Sequence, residues 1–348
     1  MRIEADDKYL LYSGRIDWAD PKAPVWVFPA TSVKMRFTGN VLKIHVRNSK
    51  AYWENSLGII LDGVQTKRSL PEQGEVVLEV PVPGLSHQEH EVLFFKRQDS
   101  CHELTIFGFE IADGEMLLYP GEHPKRRIEV YGDSVSAGEV TEAVDFVAKE
   151  DPEHNGQYSN SWYSYAWMTA RKLGAQIHDI AQGGIAMMDN TGWFYEPDAI
   201  GMETAWNKIH YNPQFGEATE WDFRNYTPQA VIVAIGQNDS HPADYMKEDY
   251  NGEKAVLWRK SYKAFLEKLR SAYPDAQIVC ITTLLNHDES WDRAIGQVVE
   301  ELEDEKITQY LFRRNGKGTP GHLRIPESEE MSEELAKYME GLQIEGWE

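Results

Sequence analysis

The pattern of apolar residues changes once along this chain of 348 residues, near Pro120–Pro124, and that change restricts the fold. Before it, short runs of alternating apolar and polar residues are separated by turns, which is typical of half-buried antiparallel strands. From residue 127 onward, short apolar runs alternate with helical stretches, which indicates a parallel sheet. The length is also about twice that of an ordinary domain. We therefore predict two domains, a β-sandwich at residues 1–120 and an α/β domain at 121–348.

In the first half of the chain, apolar and polar residues alternate with a period of two, as expected for the strands of a sandwich. Val33, Met35 and Phe37 share one face of a predicted strand, and Asp62-Gly63 is a typical hairpin turn between two others. No helix of ordinary length fits between residues 10 and 111. We predict a jelly-roll-like sandwich of antiparallel strands.

The second half is predicted to be a doubly wound parallel sheet. Its apolar strands are expected at 128–131, 176–180, 230–235 and 277–282, and its helices around 161–173, 255–273, 289–304 and 327–342. In such folds ligands bind at the carboxyl edge of the sheet. The segments 139–160 and 186–228 are too long for simple connections, so we expect them to form walls over that edge.

Charge and composition exclude several classes of partner. The chain has 35 Lys and Arg against 57 Asp and Glu, a net charge of −22 that repels nucleic acid and anionic lipid. No run of 18 apolar residues is present, and the acidic start lacks the pattern of a signal peptide. We expect a cytoplasmic protein without nucleic-acid or membrane partners, or a secreted one if a leader has been removed. Cys101 and Cys280 lie far apart and are expected to be buried thiols. Nothing in the sequence specifies an oligomeric state.

A serine follows the first α/β strand directly. In Gly132-Asp133-Ser134 the glycine permits a tight turn, and Ser134 then lies where a nucleophile could face the carboxyl edge of the sheet. The alternative is that Ser134 only caps the helix that begins there, since serine is a favoured cap residue.

Three further residues could meet Ser134 at this edge. Gly184 follows the second strand and could offer a backbone N–H to a substrate oxygen, although glycines are also common in ordinary loops. Asn238 ends the third strand and could aim its side-chain amide there, although asparagine also favours turns. His322 precedes the last helix and could act as a general base, although most loop histidines are merely solvated.

Together these blocks, in this order, resemble those of the SGNH or GDSL hydrolases, and within that superfamily the chain is most similar to carbohydrate esterase family 2. The likeness extends to Phe94–Arg97, Phe107–Phe109 and Arg127–Glu129. The resemblance implies a doubly wound SGNH hydrolase domain behind the sandwich. It also implies a serine esterase that needs no cofactor or metal and removes acetyl groups from small O-acetylated oligosaccharides through an acetyl-enzyme.

The resemblance also assigns roles to the residues of the site. Ser134 would be the nucleophile and His322 the base, and the oxyanion hole would comprise the N–H groups of Ser134 and Gly184 with the side chain of Asn238. Gly184 is chosen over its neighbour because the spacing from Asp179 fits the superfamily better.

The chain departs from the superfamily pattern three residues before His322. An aspartate is common there, and this chain has Thr319, which cannot supply a charge. We therefore expect a functional Ser-His dyad in which a backbone carbonyl, or a carboxylate from elsewhere, orients His322. Trp193 and His241 are weaker candidates for substrate contacts, with a core position and a solvated loop as the respective alternatives.

Two other functions remain open at this stage. One is a lipid or thioester acyl hydrolase on the same scaffold, which would need an apolar acyl channel. The other is a non-catalytic carbohydrate-binding protein with a vestigial hydrolase half. Hydrolysis of a simple acetyl ester would distinguish the two kinds of enzyme, the acetyl esterase and the acyl hydrolase, from the non-catalytic binding protein.

Overall fold

A computed structural model describes residues 1–347 and divides the chain into two compact units. The first comprises residues 1–123, 155–157 and 209–218, and the second comprises 124–154, 158–208 and the chain from 219 onward. Within the described residues, no helix has the length and apolarity required to cross a membrane.

The first unit is built from two antiparallel sheets of six strands each. Their strands are β1 Arg2–Ile3, β2 Leu11–Ser13, β3 Ile16–Asp17, β4 Val25–Trp26, β5 Ser32–Thr38, β6 Val41–Lys50, β7 Ser56–Leu61, β8 Val64–Ser69, β9 Gln73–Pro81, β10 Glu89–Lys96, β11 His102–Ile111 and β12 Leu117–Leu118. One sheet has the order β3-β4-β11-β6-β9 with β1 beside β11, and the other has the order β12-β5-β10-β7-β8 with β2 beside β5.

Alternation along the strands creates the core of this unit. In β5, Val33, Met35 and Phe37 are fully buried and join one apolar cluster with residues of both sheets. The β7–β8 hairpin turns at Asp62-Gly63, where both residues have positive φ (49° and 81°) as such a tight turn requires. The predicted sandwich is thus confirmed.

The second unit contains a five-stranded parallel sheet in the order β14-β13-β17-β18-β19. These strands are β13 Arg126–Gly132, β14 Ala175–Ala181, β17 Ala230–Ala234, β18 Gln277–Cys280 and β19 Ile307–Gln309, and a separate two-stranded sheet pairs β15 Lys208–His210 with β16 Thr219–Glu220. The predicted doubly wound parallel sheet is confirmed, and its strand order is of the flavodoxin type. The fifth strand was not predicted, because it has three residues and only Ile307 is buried.

Helices connect the strands of this sheet. The α-helices are α1 Ser134–Ala137, α2 Tyr165–Lys172, α3 Met202–Ala205, α4 Tyr245–Glu248, α5 Glu253–Ala272, α6 Glu289–Leu302 and α7 Ile325–Glu340. Short 3₁₀ helices lie at Val144–Phe146, Ser161–Tyr163, Pro213–Phe215, Phe223–Asn225 and Asn238–Ser240. Cys101 and Cys280 are buried free thiols, as expected.

Strand register places three of the sequence blocks at one edge. Gly132 at the end of β13 pairs with Ala181 of β14 and with Ala234 of β17. Ser134, Gly184 and Asn238 follow these three strand ends within a few residues.

Candidate active site

Ser134 opens the short helix α1 at the carboxyl end of β13. The side chain of Asp133 caps this helix by accepting a hydrogen bond from Val135 N at 3.0 Å, and Gly138 ends it in the left-handed conformation. Ser134 is nearly buried, at 5% exposure. Within residues 1–347 neither its Oγ nor its N–H has a hydrogen-bond partner, so both groups are available to a substrate.

Asp133 joins the serine turn to the third sequence block. Its Oδ2 accepts hydrogen bonds from Gln237 Nε2 at 2.9 Å and from Asn238 Nδ2 at 3.3 Å. Burial raises the pKa of Asp133, although the Gln237 and Val135 donors and the charge of His322 oppose that rise. Asp133 therefore caps α1 and, through its hydrogen bonds to Gln237 and Asn238, links the ends of two neighbouring strands.

His322 is held by a carboxylate from a distant segment. Asp151 Oδ2 lies 2.6 Å from His322 Nδ1, and the other Asp151 oxygen accepts a hydrogen bond from the backbone N–H of His322 at 2.9 Å. Arg324 Nη2 donates to that same oxygen at 2.8 Å, and Arg324 Nη1 donates to the carbonyl of His322. The imidazole is therefore fixed in orientation by a charged partner.

This contact corrects the expected Ser-His dyad. An aspartate does orient the histidine, but it comes from residue 151 instead of the position three residues before His322. Thr319, which occupies that position, contributes its backbone: its carbonyl accepts from Asn286 N at 2.9 Å and its N–H donates to Leu284 O at 3.1 Å. Of the two alternatives left open by the sequence, the structure therefore shows a carboxylate from elsewhere in the chain instead of a backbone carbonyl, and sequence proximity could not identify it.

The charge of Asp151 is stable at any ordinary pH. Burial raises the pKa of this carboxyl group, but the hydrogen bond and charge of His322, the charge of Arg324 and the backbone N–H bring the pKa well below its usual value. Asp151 is therefore ionised whenever His322 could act as a base.

A glycine permits this close approach. A Cβ on Gly321 would lie 2.6 Å from Asp151 Oδ1 and 2.7 Å from the carbonyl oxygen of Lys149. Because one of these atoms belongs to the backbone, a larger residue could be accommodated only if the segment around Asp151 moved.

A second carboxylate lies near the other nitrogen of His322. Glu139 Oε2 is 3.7 Å from Nε2, and the backbone N–H of Glu139 donates to Ser134 O at 3.0 Å. These contacts place His322 beside the segment that leaves the serine turn. No hydrogen bond joins Ser134 Oγ directly to His322 in this structure.

Gly184 and the side chain of Asn238 meet at the loop that follows β14. Gly184 has a φ of 73°, and its N–H has no acceptor within the described residues. Asn238 Nδ2 donates to the carbonyl of the next residue, Ile185, at 3.1 Å, in addition to its longer contact with Asp133. The structure thus brings both predicted oxyanion donors to one loop.

Trp193 and His241 form an aromatic pair beside that loop. Their ring centroids are 3.3 Å apart with an interplanar angle of 19°, and Trp193 remains 56% exposed. The backbone N–H of Trp193 donates to Gly184 O at 2.8 Å, and His241 Nε2 lies 2.8 Å from Glu196 Oε1. Trp193 therefore presents an exposed aromatic face, and its ring stacks on the ring of His241.

Sequence reasoning missed Asp151 and Glu139. Both belong to the segment 139–160, which was interpreted only as a wall, and Asp151 lies 171 positions from His322. No motif marks either residue among 57 acidic side chains. Only the fold reveals that this segment turns back to the histidine.

Comparison with known proteins finds similarity to carbohydrate esterases. Residues 12–120 match the family described as carbohydrate esterase 2 N-terminal. Cellulase/esterase CelE of Acetivibrio thermocellus is 27% identical over 302 residues, which are 86% of this chain and 34% of that protein. This chain therefore spans about a third of the length of CelE.

Two further relatives match nearly the whole chain. The acetylxylan esterase/glucomannan deacetylase of Cellvibrio japonicus is 26% identical over 329 residues, 92% of this chain and 83% of that protein. The solved structure of a family two carbohydrate esterase from Clostridium thermocellum in complex with cellohexaose is 25% identical, with a TM-score of 0.80 over 97% of this chain and 100% of that chain. This chain is thus similar, over nearly its whole length and in its fold, to carbohydrate esterases of family two.

Proposed function

We propose that this protein is a serine esterase that removes O-acetyl groups from carbohydrates through an acetyl-enzyme intermediate. The single observation that carries the proposal is the 2.6 Å contact between His322 Nδ1 and Asp151, in the same unit as the unpartnered hydroxyl of Ser134. A carboxylate on one nitrogen fixes the tautomer in which the other nitrogen can accept a proton. The similarity to esterases of carbohydrates supports the choice of substrate class.

The reaction follows from the roles of these groups. His322 Nε2 takes the proton of Ser134 Oγ as that oxygen forms a bond to the acetyl carbonyl carbon. The bond between that carbon and the sugar oxygen then breaks, and the imidazolium returns its proton to the departing sugar hydroxyl. In the second half, Nε2 takes a proton from water as the water oxygen forms a bond to the acetyl carbon. The bond between that carbon and Ser134 Oγ then breaks, acetic acid leaves and ionises to acetate, and the imidazolium returns its proton to Ser134 Oγ.

The oxyanion formed in each half needs donors that are not already used. The N–H groups of Ser134 and Gly184 meet that condition. The amide of Asn238 could join them by exchanging its 3.3 Å contact with Asp133 for a substrate oxygen that carries developing charge. We assign these three donors to the oxyanion hole.

The exposed ring of Trp193 favours a sugar as the group that carries the acetyl ester. A flat aromatic surface packs against the C–H face of a pyranose, and the backbone N–H of Trp193 donates a hydrogen bond to the carbonyl of Gly184. We assign Trp193 to substrate binding, with His241 as the residue that holds its ring in place.

Replacement of the nucleophile tests this function. Ser134→Ala should abolish release of acetate from p-nitrophenyl acetate and from O-acetylated oligosaccharides, while the unfolding temperature stays close to that of the parent. Ser136→Ala is a matched control, because it removes a hydroxyl of the same helix that bonds Tyr165 at 2.7 Å, and it should keep the activity. Undiminished hydrolysis by Ser134→Ala would refute the assignment.

The length of the acyl group separates the remaining alternatives. Acetyl esters should have a higher kcat/KM than octanoyl esters. The reverse order would favour a lipid acyl hydrolase, and binding of oligosaccharides without any acetate release would favour a non-catalytic binding protein.

A further inference from the structure

The most unusual group at the site is the carboxylate of Glu139. It lies 3.7 Å from His322 Nε2, the ring nitrogen opposite to the one that Asp151 holds, and its side chain is only 8% exposed. A nearly buried carboxylate interacts strongly with neighbouring charges, because little water screens it. Glu139 has no part in the proton transfers described above.

The backbone fixes the position of Glu139. Gly138 ends α1 in the left-handed conformation, and the next N–H, that of Glu139, donates to Ser134 O at 3.0 Å. A Cβ on Gly138 would lie 2.6 Å from the carbonyl oxygen of Asn160, so the turn also packs closely against a neighbouring segment. The main chain that carries this carboxylate is therefore held at the turn that follows the serine helix.

We propose that Glu139 is a second carboxylate for His322, which stabilises the positive charge that the ring carries after it has taken the proton of Ser134. This inference rests on the esterase function proposed above. Asp151 holds Nδ1 and sets the tautomer, whereas Glu139 acts by charge from the Nε2 side. It is a positioning and electrostatic residue that transfers no proton itself.

The physical reason is that the charge on the ring changes during the reaction. The imidazole is neutral before it accepts the proton and positive afterwards, so a fixed negative charge nearby lowers the energy of the charged state more than that of the neutral one. Glu139 should therefore raise the maximal rate, and its replacement by a neutral group should lower that rate and move the acid limb of the pH profile to lower pH.

The other charged groups near His322 do not supply this stabilisation of the protonated ring from its Nε2 side. Arg324 is positive, and its charge is paired with Asp151. Asp133 is bonded to Gln237 and Asn238. His154 has its pKa lowered by burial and by the charges of His322 and Arg324, which leaves it neutral near pH 7. Among the described residues, Asp151 and Glu139 are the two acidic side chains within ion-pair range of the ring.

The test is the pH profile of Glu139→Gln, which keeps the size of the side chain and removes its charge. The variant should lose about tenfold to a hundredfold in kcat on the plateau, with KM for an acetyl ester nearly unchanged. The acid limb of its kcat/KM profile should move to lower pH. Glu139→Asp, which restores the charge on a shorter side chain, should return both properties part of the way.

Glu142→Gln is the matched control. Glu142 belongs to the same segment, and its Oε1 accepts a hydrogen bond from Asn160 at 2.8 Å, so its replacement changes the net charge equally without placing a neutral group at the histidine. Its profile should coincide with that of the parent. A shift of the same size in this control would show a general charge effect and would overturn the proposal.

The outcomes distinguish this inference from the function on which it rests. If the parent is active and Ser134→Ala is not, an unchanged kcat and acid limb in Glu139→Gln overturns the role of Glu139 alone. A change confined to KM would make Glu139 a substrate contact and would also overturn it. An inactive parent would overturn both. If the Gln variant unfolds, Glu139→Asp decides: a reduced kcat with an acid limb below that of the parent supports the role, and a profile equal to that of the parent overturns it.

Discussion

At the scale of single residues, Asp151 orients the His322 ring through Nδ1 and leaves Nε2 as the nitrogen that transfers the proton. One of its oxygens contacts the ring of His322, and the other accepts hydrogen bonds from the backbone N–H of His322 and from Arg324, so three contacts fix the carboxylate. A group held in this way can fix the tautomer of the histidine without any further adjustment during the reaction. Because the pKa of Asp151 is well below its usual value, its own titration should not limit activity on the acid side.

Replacement of Asp151 by asparagine tests that role. An amide has the same shape but no charge, and in a Ser-His-Asp triad such a change lowers kcat by about 10⁴. We expect Asp151→Asn to lower kcat by about 10³–10⁴ with a small change in KM. The control is Glu153→Gln, an exposed position two residues away, which should behave like the parent. A loss of less than tenfold in Asp151→Asn would restore the dyad interpretation.

At the scale of elements, the site depends on the loops that follow the strands and precede the last helix. The apolar runs of β13, β14 and β17 could be predicted from the sequence because buried parallel strands leave a strong local pattern. Ser134, Gly184 and Asn238 could be placed at one edge for the same reason, since the register of parallel strands aligns their ends. The path of the segment 139–160 could not be predicted, because it is set by single contacts such as that between Asp151 and His322, which have no periodic signature.

The contact between this segment and the loop before α7 predicts a steric effect at Gly321. Gly321→Ala should push the backbone around Lys149 and Asp151 away, since its Cβ would come within 2.7 Å of the Lys149 carbonyl oxygen. We expect kcat to fall by at least about tenfold while the protein stays folded.

Gly341→Ala, at the other end of α7, is the matched control. Its Cβ would lie 3.2 Å from the carbonyl oxygen of Tyr338, farther than the contacts expected at Gly321, and its φ of −78° suits alanine, so activity should be retained. Equal activities of the two variants would contradict the close approach at Gly321. The carboxylate contact can be checked separately, because Gly321→Ala should also alter the ring signals of His322 in NMR spectra.

At the scale of the whole molecule, the architectures of the two units could be predicted, but the residues that belong to each unit could not. A change of period near residue 120 indicates a sandwich followed by a parallel sheet, and both are present. The return of residues 209–218 to the first unit has no such signal, because it depends on single contacts of individual side chains instead of a periodic pattern. His210 shows how this return is held: its Nδ1 lies 2.8 Å from Glu103 in β11, and its Nε2 lies 3.0 Å from Asp17 in β3.

The pH dependence of stability should report this histidine. Burial lowers the pKa of His210, but the hydrogen bonds and charges of Glu103 and Asp17 outweigh it and raise the pKa from 6.5 to about 9. Because the pKa is raised on folding, the stabilisation is fully present below about pH 6.5 and is lost as the pH rises through about 9. A shift of this size corresponds to about 3 kcal/mol in the free energy of unfolding.

His210→Gln isolates this contribution from the self-repulsion of a chain with a net charge of −22. We expect the difference in free energy of unfolding between parent and variant, measured with urea, to be largest near pH 6 and to shrink by about 3 kcal/mol by pH 10. Asp17→Asn should reduce the same difference by part of that amount, because one of the two carboxylates remains. A difference that stays constant from pH 6 to pH 10 would show that His210 is not charged between its partners. The segment 209–218 would then be held to the first unit by its neutral contacts, such as the hydrogen bond from Asn212 to Ser100 O at 2.8 Å and the stacking of Tyr211 on Phe28.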